Sequence, residues 1–338
     1  VPTGGPALHI KAVNVPTGGP ALHIKAVIIG TLYIITYIGI ISFQVPAFIT
    51  LILYAFHGFL SALVGFNIMH DAAHGSFSSK KNINTALRYT ADILGGSWFI
   101  WNPKHNILHH PYTNIEGHDE DFEIPFMNIL KKYLPKKYHR YQHRYAHFLY
   151  LLTSLSTHFG DYRKYFNGIN GRGWEKVKLY EHIIFWVFKA IYTFMYLVLP
   201  IYLNGWLIGI GGFFVMHFVF GYIMAIVFQL AHLVPKTKFV EIDEKNRKVI
   251  NVEDEWVIHQ LNTTCDFAHK NKVISWLVGG LNFQTEHHLF VKISHIHYPV
   301  IAKIVKDFTQ KHSLQYNEYE TLEEAVNAHF SFLKVEIV

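Results

Sequence analysis

The sequence predicts an all-α integral membrane protein, with four transmembrane helices in two hairpins and a cytoplasmic helical cap that holds a histidine-rich di-metal site. Three observations support this class. Only 16% of the 338 residues are charged, whereas soluble domains carry about 25%. Four long segments contain almost no charge at all. The chain also has 24 histidines against a single cysteine.

The predicted spans are residues 27–43, 46–66, 183–203 and 206–231. The first, second and fourth contain no Lys, Arg, Asp or Glu, and the third contains only Lys189. A transmembrane helix needs about 20 predominantly apolar residues, so each segment is long enough to cross a bilayer. The short connections within each pair predict two helical hairpins.

The distribution of cations predicts the orientation. The two hairpin turns carry no Lys or Arg, whereas Lys80, Lys81 and Arg88 follow the second span. Nine more cations lie between residues 131 and 172. Because positive charge marks the cytoplasmic side, we expect both termini and the central segment to face the cytoplasm. The net charge of +6 suits an anionic lipid surface, and no nucleic-acid motif accompanies it.

The N-terminus contains a tandem copy. VPTGGPALHIKAV occupies residues 1–13 and recurs unchanged at 15–27. A duplication this short does not predict a repeat fold, and no cationic segment before it indicates a cleavable signal peptide. We therefore expect residues 1–26 to be non-functional and residues 27–338 to form a single domain.

Histidines cluster at four places outside the predicted spans. The motifs are HDAAH after the second span, HNILHH in the central segment, QLAH at the end of the fourth span and QTEHH near the C-terminus. All four lie on the predicted cytoplasmic side. The candidate metal ligands are His70, His74, His105, His109, His110, His232, His287 and His288, and Gln284 precedes the last pair.

The spacing of these histidines indicates two metal ions. Residues three or four apart share one face of a helix, which applies to His70 with His74 and to His105 with His109. Adjacent histidines point about 100° apart on a helix. One member of each adjacent pair is therefore able to serve one metal while its neighbour serves another.

The residues leave the identity of the metal open. HDAAH lacks the glutamate of the zinc motif HExxH, and no Glu-x-x-His pair of a carboxylate-bridged di-iron bundle occurs. Imidazole-rich sites suit iron, copper, zinc and nickel. Asp71 and Glu286 stand beside candidate ligands and are candidates to accept a ring N–H. We expect His57 and His217, inside the spans, to be neutral, hydrogen-bonded packing residues.

The segments HDAAHGSFS, KHNILHHPYTNIEGHDED, QLAHLVP and GGLNFQTEHHLFVKISHIHYP resemble the membrane fatty acid desaturase family. The resemblance runs from about residue 28 to about residue 312. It is nearest to front-end acyl desaturases, in which a glutamine, here Gln284, replaces the first histidine of the third box. His232 resembles an additional ligand of acyl-CoA desaturases, but Phe228 stands where those enzymes have an asparagine.

The resemblance implies an oxygen-dependent oxidoreductase that holds two non-haem iron ions and removes two hydrogens from an acyl chain. It implies the eight histidines as ligands, a functional Gln284, and an acyl-CoA or acyl-lipid substrate. Trp98, Phe99 and Trp101 are candidates to border the acyl path. No HPGG haem motif occurs, so we expect electrons from a separate ferredoxin or cytochrome b5 and its reductase. The resemblance to bacterial single-domain members predicts the bacterial inner membrane.

Other functions fit the same residues. A sphingolipid desaturase, a lipid hydroxylase or a carotenoid oxygenase could be built on the same scaffold. A non-catalytic metal-binding or transport protein is the alternative from another class. A transporter would place its polar ligands near the middle of the membrane, whereas the candidate ligands here lie at one end of the spans.

Overall fold

The long uncharged segments fold into helices. The computed structural model describes residues 17–42, 46–130, 135–168, 177–240, 242–243, 248–249 and 255–334, and these are mostly helical. Four of the described helices are long and apolar enough to cross a membrane, as predicted. They are called here the first to fourth spans: Gly19–Ile40, Ala47–His74, Leu179–Asn204 and Trp206–His232.

The ends of the first two spans differ from the predicted ends. The first span begins before Lys25, because this lysine is buried within the helix and bonded to His295 rather than ending the apolar run. The second span continues through a π-helical turn at Gly65–Met69 and ends at His74. A second π-helical turn, Phe194–Val198, lies within the third span.

The second and fourth spans pack closely along each other. A side chain at Gly58 would bring its Cβ within 2.3 Å of the Met216 carbonyl oxygen, so the two backbones meet there. Small residues permit such approaches between membrane helices. The outward faces are apolar, as shown on the first span by exposed Val27, Ile34 and Ile38. Such a surface suits hydrocarbon better than water.

The remaining described elements are short. The helices between the second and third spans are Lys81–Leu87, Thr90–Ile93, Trp98–Asn102, the π-helical Pro103–His109, Lys137–Tyr141, Gln142–Leu151 and Thr153–Asn167. Those after the fourth span are Trp256–Thr263, Lys272–Leu277, Gln284–Leu289, His295–His297, Tyr298–Lys311 and Leu322–Phe332. Ile242–Asp243 pairs antiparallel with Lys248–Val249, and Asp266–Phe267 pairs parallel with Glu318–Tyr319.

The two histidines within the spans are buried and hydrogen-bonded at both ring nitrogens. His57 contacts the hydroxyl groups of Thr36 and Tyr196 at 2.9 and 3.0 Å. His217 contacts those of Ser154 and Tyr192 at 2.9 and 3.0 Å. These contacts agree with packing roles and hold the helices to one another.

The second copy of the N-terminal repeat takes part in the fold from residue 17 onward. The Gly18 amide donates to the Ser76 carbonyl at 3.3 Å, and a His297 ring nitrogen contacts the Thr17 carbonyl at 3.1 Å. Leu22 is fully buried. Residues 17–26 therefore pack against segments on both sides of the histidine motifs, while residues 1–16 lie outside the described residues.

Candidate metal centre

The fold brings the predicted site residues into one cluster, which is buried except for the half-buried His74. The last turns of the second span carry His70 and His74, and the last residue of the fourth span is His232. The π-helical segment and the residue after it supply the histidines of HNILHH, and the helix Gln284–Leu289 supplies Gln284 and the terminal pair. Segments far apart in sequence therefore meet at the same ends of two spans.

The donor nitrogens form two principal groups. The ligand atoms within each group lie within 4.8 Å of one another. The first group is His70, His74, His105 and His287, and the second is His109, His232 and His288. His110 completes a third group with His287 and His288, between the other two. His287 and His288 are divided between the two principal groups, as helical geometry predicts, but both also belong to the third group, and His109 and His110 fall into different groups.

The central histidine motif lies on a π-helix, not on the α-helix that the predicted i, i+4 pairing of His105 and His109 required. Five-residue spacing brings the Nε2 atoms of His105 and His110 to 3.1 Å. The rings of His105 and His109 are 5.2 Å apart, and the two residues belong to different principal groups, although a smaller group combines both of them with Asp121. Single π-helical turns often occur at functional sites, and here the wider turn lets one motif supply both groups.

Outer partners fix the orientation of four rings through Nδ1. His109 contacts the Asp119 carboxylate at 3.0 Å, and His232 contacts the Thr263 carbonyl at 3.1 Å. His287 contacts the Tyr298 hydroxyl at 3.2 Å, and His288 contacts the Gln260 side-chain oxygen at 2.8 Å. A ring that donates through Nδ1 presents an unprotonated Nε2 on its other side, which is the form that binds metal.

Several ring nitrogens of the candidate ligands have no hydrogen-bond partner among the described residues. They are His74 Nε2, His109 Nε2, His110 Nδ1 and His287 Nε2, and all are buried. A buried polar atom without a partner is costly, and such atoms are rare in native proteins. Four such atoms within one cluster of imidazoles are expected of a metal site, so the residues present fit a di-metal centre.

Burial keeps most of these imidazoles neutral. It lowers the pKa of His105, His110, His287 and His288 well below the ordinary value, and neighbouring histidines lower it further. His109 is different, since burial acts in the same direction but the adjacent Asp119 carboxylate raises its pKa above the ordinary value. Neutral imidazole is the metal-binding form.

The outer partners were not those predicted. Asp71 accepts from Ser294 and His295, and Glu286 accepts from Tyr316, so neither contacts a candidate ligand ring. Both stand next to candidate ligands in sequence, and neighbouring side chains on a helix point about 100° apart. The sequence offers Asp119 as a candidate outer partner, because it is an acidic residue of the GHDED segment close to HNILHH. No local sequence pattern points to Gln260, Thr263 or Tyr298.

Gln284 lies inside the cluster and is 2% exposed. Its amide nitrogen is 2.9 Å from His232 Nε2 and 3.3 Å from His288 Nε2. The side chain therefore borders the second group of histidines. Phe228 packs against His109 and His232 with ring centroids 5.1 Å away from each, which places an apolar ring one helical turn before His232.

A further group of possible ligands, Asp266, His269 and Glu286, adjoins this cluster. Both ring nitrogens of His269 face carboxylates, Asp266 at 2.9 Å and Glu318 at 3.0 Å. Burial opposes the charged imidazole, but these two hydrogen bonds raise the pKa of His269 to about 9. A protonated ring has no lone pair to give a metal, so this group is an ion-pair network.

Comparison with known proteins assigns the family. Residues 44–320 match the family model described as fatty acid desaturase. The chain is 35% identical to an sn-1 linoleoyl-lipid 6-desaturase of Arthrospira platensis, over 82% of this chain and 75% of the relative. It is 33% identical to an enzyme of the same name from Synechocystis sp., over 81% and 76% of the two chains.

An acyl-lipid (8-3)-desaturase of Physcomitrium patens is also 33% identical, over 82% of this chain and 58% of that longer relative. The matched residues include every histidine motif and the last three spans. The four motifs that predicted the site thus lie within the region that matches the family model. The chain therefore belongs to the fatty acid desaturase family of membrane oxidoreductases.

Proposed function

We propose that this protein uses O2 to introduce a cis double bond into a membrane-associated acyl chain, with the regioselectivity of a front-end desaturase. The observation that carries the proposal is the pair of buried imidazole groups at the ends of two spans. The names of the relatives support an acyl-lipid as substrate, and an acyl-CoA is the second choice.

The proposed cofactor is a pair of non-haem iron ions. His70, His74, His105 and His287 would hold one, and His109, His232 and His288 would hold the other, with His110 placed between them. Iron, when bound, supplies the activation of O2 and the removal of two hydrogens from the acyl chain. The absence of a cysteine among these residues excludes an iron–sulfur cluster at this site.

The protein's own residues would orient the ligands and exclude water. Asp119, Gln260, Thr263 and Tyr298 hold four rings through their outer nitrogens. Phe228 covers one side of the second group. The Gln284 side chain has an NH2 group that donates and an oxygen that accepts, and a half-turn about its last torsion exchanges the positions of the two groups. It is therefore suited to orient a ligand or a water beside the second metal.

The acyl chain would pass beside Trp101. Its ring stacks on His105 at 4.2 Å and lies 6.2 Å from His70 and 6.3 Å from His74. Trp98 lies next to it at 6.0 Å. Phe99 instead packs in a separate cluster with Phe185, so we assign it to the core and not to the acyl path.

We further propose a multi-pass protein of the bacterial inner membrane, with two hairpins and with both termini, the helical cap and the metal centre on the cytoplasmic side. The cation distribution supports this orientation. A separate ferredoxin or cytochrome b5, with its reductase, would then reach the site from the cytoplasm. We propose residues 27–338 as a single domain, to which residues 17–26 add the first turns of the first span, and we limit the proposed dispensability of the repeat to residues 1–16.

Expression in a bacterial host that makes linoleate tests the function. Gas chromatography with mass spectrometry of the total lipids should reveal a new double bond on the carboxyl side of an existing one. Metal analysis of the purified protein should find about two irons per chain, as the number of imidazole groups indicates. Active protein with stoichiometric zinc and no iron would contradict the proposal.

A further inference from the structure

A cavity lined by several lysines, and by none of the candidate metal ligands, lies between the start of the first span and residues 269–306. Its volume is about 630 Å³. Five lysines line it, and the described residues of its lining include no Asp or Glu. They are Lys25, Lys270, Lys272, Lys303 and Lys306. So many like charges around one cavity repel one another, and a bound anion would relieve that repulsion.

Two of the five lysines are already neutralised. Lys306 pairs with Glu318, and Lys270 lies 3.6 Å from the Glu320 carboxylate. Lys272 and Lys303 have no ion pair with any of the residues that the structure describes, and both are exposed at the rim. The rim of the cavity therefore carries uncompensated positive charge.

Lys25 places a third ammonium group in the wall of the cavity, and this residue is only 6% exposed. His295 Nδ1 donates to Asp71 at 2.9 Å, which leaves His295 Nε2 to accept from Lys25 Nζ at 3.2 Å. An ammonium group has three protons. The other two have no hydrogen-bond partner among the described residues, and the Trp276 ring lies 4.9 Å from Nζ.

The cavity also has an apolar part. Trp276, Ile296 and Ala302 line it together with the lysines. The helix Tyr298–Lys311, which supplies several lining residues, exposes Val300, Ile304 and Phe308 at four-residue intervals. A helix with an exposed apolar stripe and flanking lysines is typical of one that lies in the membrane interface.

We propose that this cavity binds the phosphate-bearing head group of an anionic membrane phospholipid. The phosphate oxygens would accept from buried Lys25 and from Lys272 and Lys303 at the rim. The apolar lining would contact the glycerol and the first methylene groups, which favours a lipid over free phosphate. The inference rests on the membrane placement proposed above, but not on the reaction.

Native mass spectrometry of the purified full-length chain in detergent tests this site without measuring turnover. The protein is titrated with phosphatidylglycerol and with phosphatidylcholine of the same acyl chains. The wild type should retain phosphatidylglycerol preferentially. Lys272→Ala/Lys303→Ala should weaken that retention by about tenfold or more, as the loss of two cations near an anionic head group predicts. Lys25→Met should weaken it further.

The matched control is Lys311→Ala/Lys334→Ala, which removes two exposed lysines that do not line the cavity. It should retain phosphatidylglycerol like the wild type. Equal retention of the two lipids, or an unchanged affinity in Lys272→Ala/Lys303→Ala, would overturn the proposal. Displacement of the lipid by millimolar inorganic phosphate would also overturn it, since the ligand would then be a soluble phosphate compound. This test measures lipid retention and no activity. A protein that bound phosphatidylglycerol but formed no desaturated product would therefore contradict the proposed reaction and not the proposed lipid site.

Discussion

Asp119→Asn should weaken the metal centre without disturbing the surrounding fold. Asp119 is 1% exposed. Its carboxylate accepts from His109 Nδ1 at 3.0 Å and from the backbone amides of Asn114 and Asp121 at 2.9 and 3.0 Å. Asparagine has the same shape, but its NH2 group is unable to accept and it carries no charge. Either the His109 ring or a backbone amide therefore loses its acceptor.

The size of the effect follows from the contact that is lost. Removing an outer partner of a metal-binding histidine typically lowers metal affinity or activity by about 10–100-fold. That range corresponds to ~1.4–2.8 kcal/mol. We expect a loss in this range because one oxygen, Asp119 Oδ2, serves both His109 and the Asn114 amide.

Two measurements check this prediction. The iron content per chain is determined after dialysis against graded concentrations of chelator, and product formation is measured at matched expression. The control is Asp92→Asn, because Asp92 is equally buried and accepts from the Trp98 amide at 3.0 Å but contacts no candidate ligand. The control should keep its iron. If Asp119→Asn held iron and formed product like the wild type, the orienting role of this carboxylate would be refuted.

Three further predictions concern single residues. His109→Ala and His287→Ala should each abolish desaturation in protein that still inserts into the membrane. His57→Gln, which changes a packing residue, should retain appreciable activity. Normal turnover of either alanine variant would contradict the ligand assignment. Gln284→Ala should lose most activity and Gln284→His should retain some, measured as product at matched expression, and a fully active Gln284→Ala would exclude a role in the site. His269→Gln should lower thermal stability by up to ~3 kcal/mol at pH 6 and much less at pH 10. The pKa of His269 is raised from the ordinary value of 6.5 to about 9 in the folded protein, so its charged ring stabilises the fold fully below pH 6.5, and this contribution is lost as pH rises through 9. An equal loss of stability at both pH values would contradict the ion-pair assignment.

The sequence by itself indicated which residues meet in the histidine cluster and how many helices are long enough to cross a membrane. Uncharged segments of about 20 residues have few alternatives to a membrane helix, because backbone polar groups must be satisfied within the segment. Histidines are readily recognised as candidate ligands when they recur in short motifs. The eight candidate histidines and Gln284 accordingly meet in one cluster, as their common position at one end of the spans predicted.

The tertiary structure decided which histidines stand together and what holds them. His105 and His109 belong to different principal groups, and the helix that carries them is a π-helix, which the spacing of the motif does not reveal. Gln260 and Tyr298 contact candidate ligands across long sequence separations. Short-range periodicity carries no information about such contacts.

Lys25 is a second residue whose contacts the local sequence did not predict. A lysine ended the predicted first span, since an isolated charge is costly in an apolar environment. In the folded chain the helix continues past it, because His295 and the cavity wall surround its ammonium group. The local sequence determined that the charge needed a partner. Only the arrangement of the first span against the segment after the last histidine pair decided which partner it found.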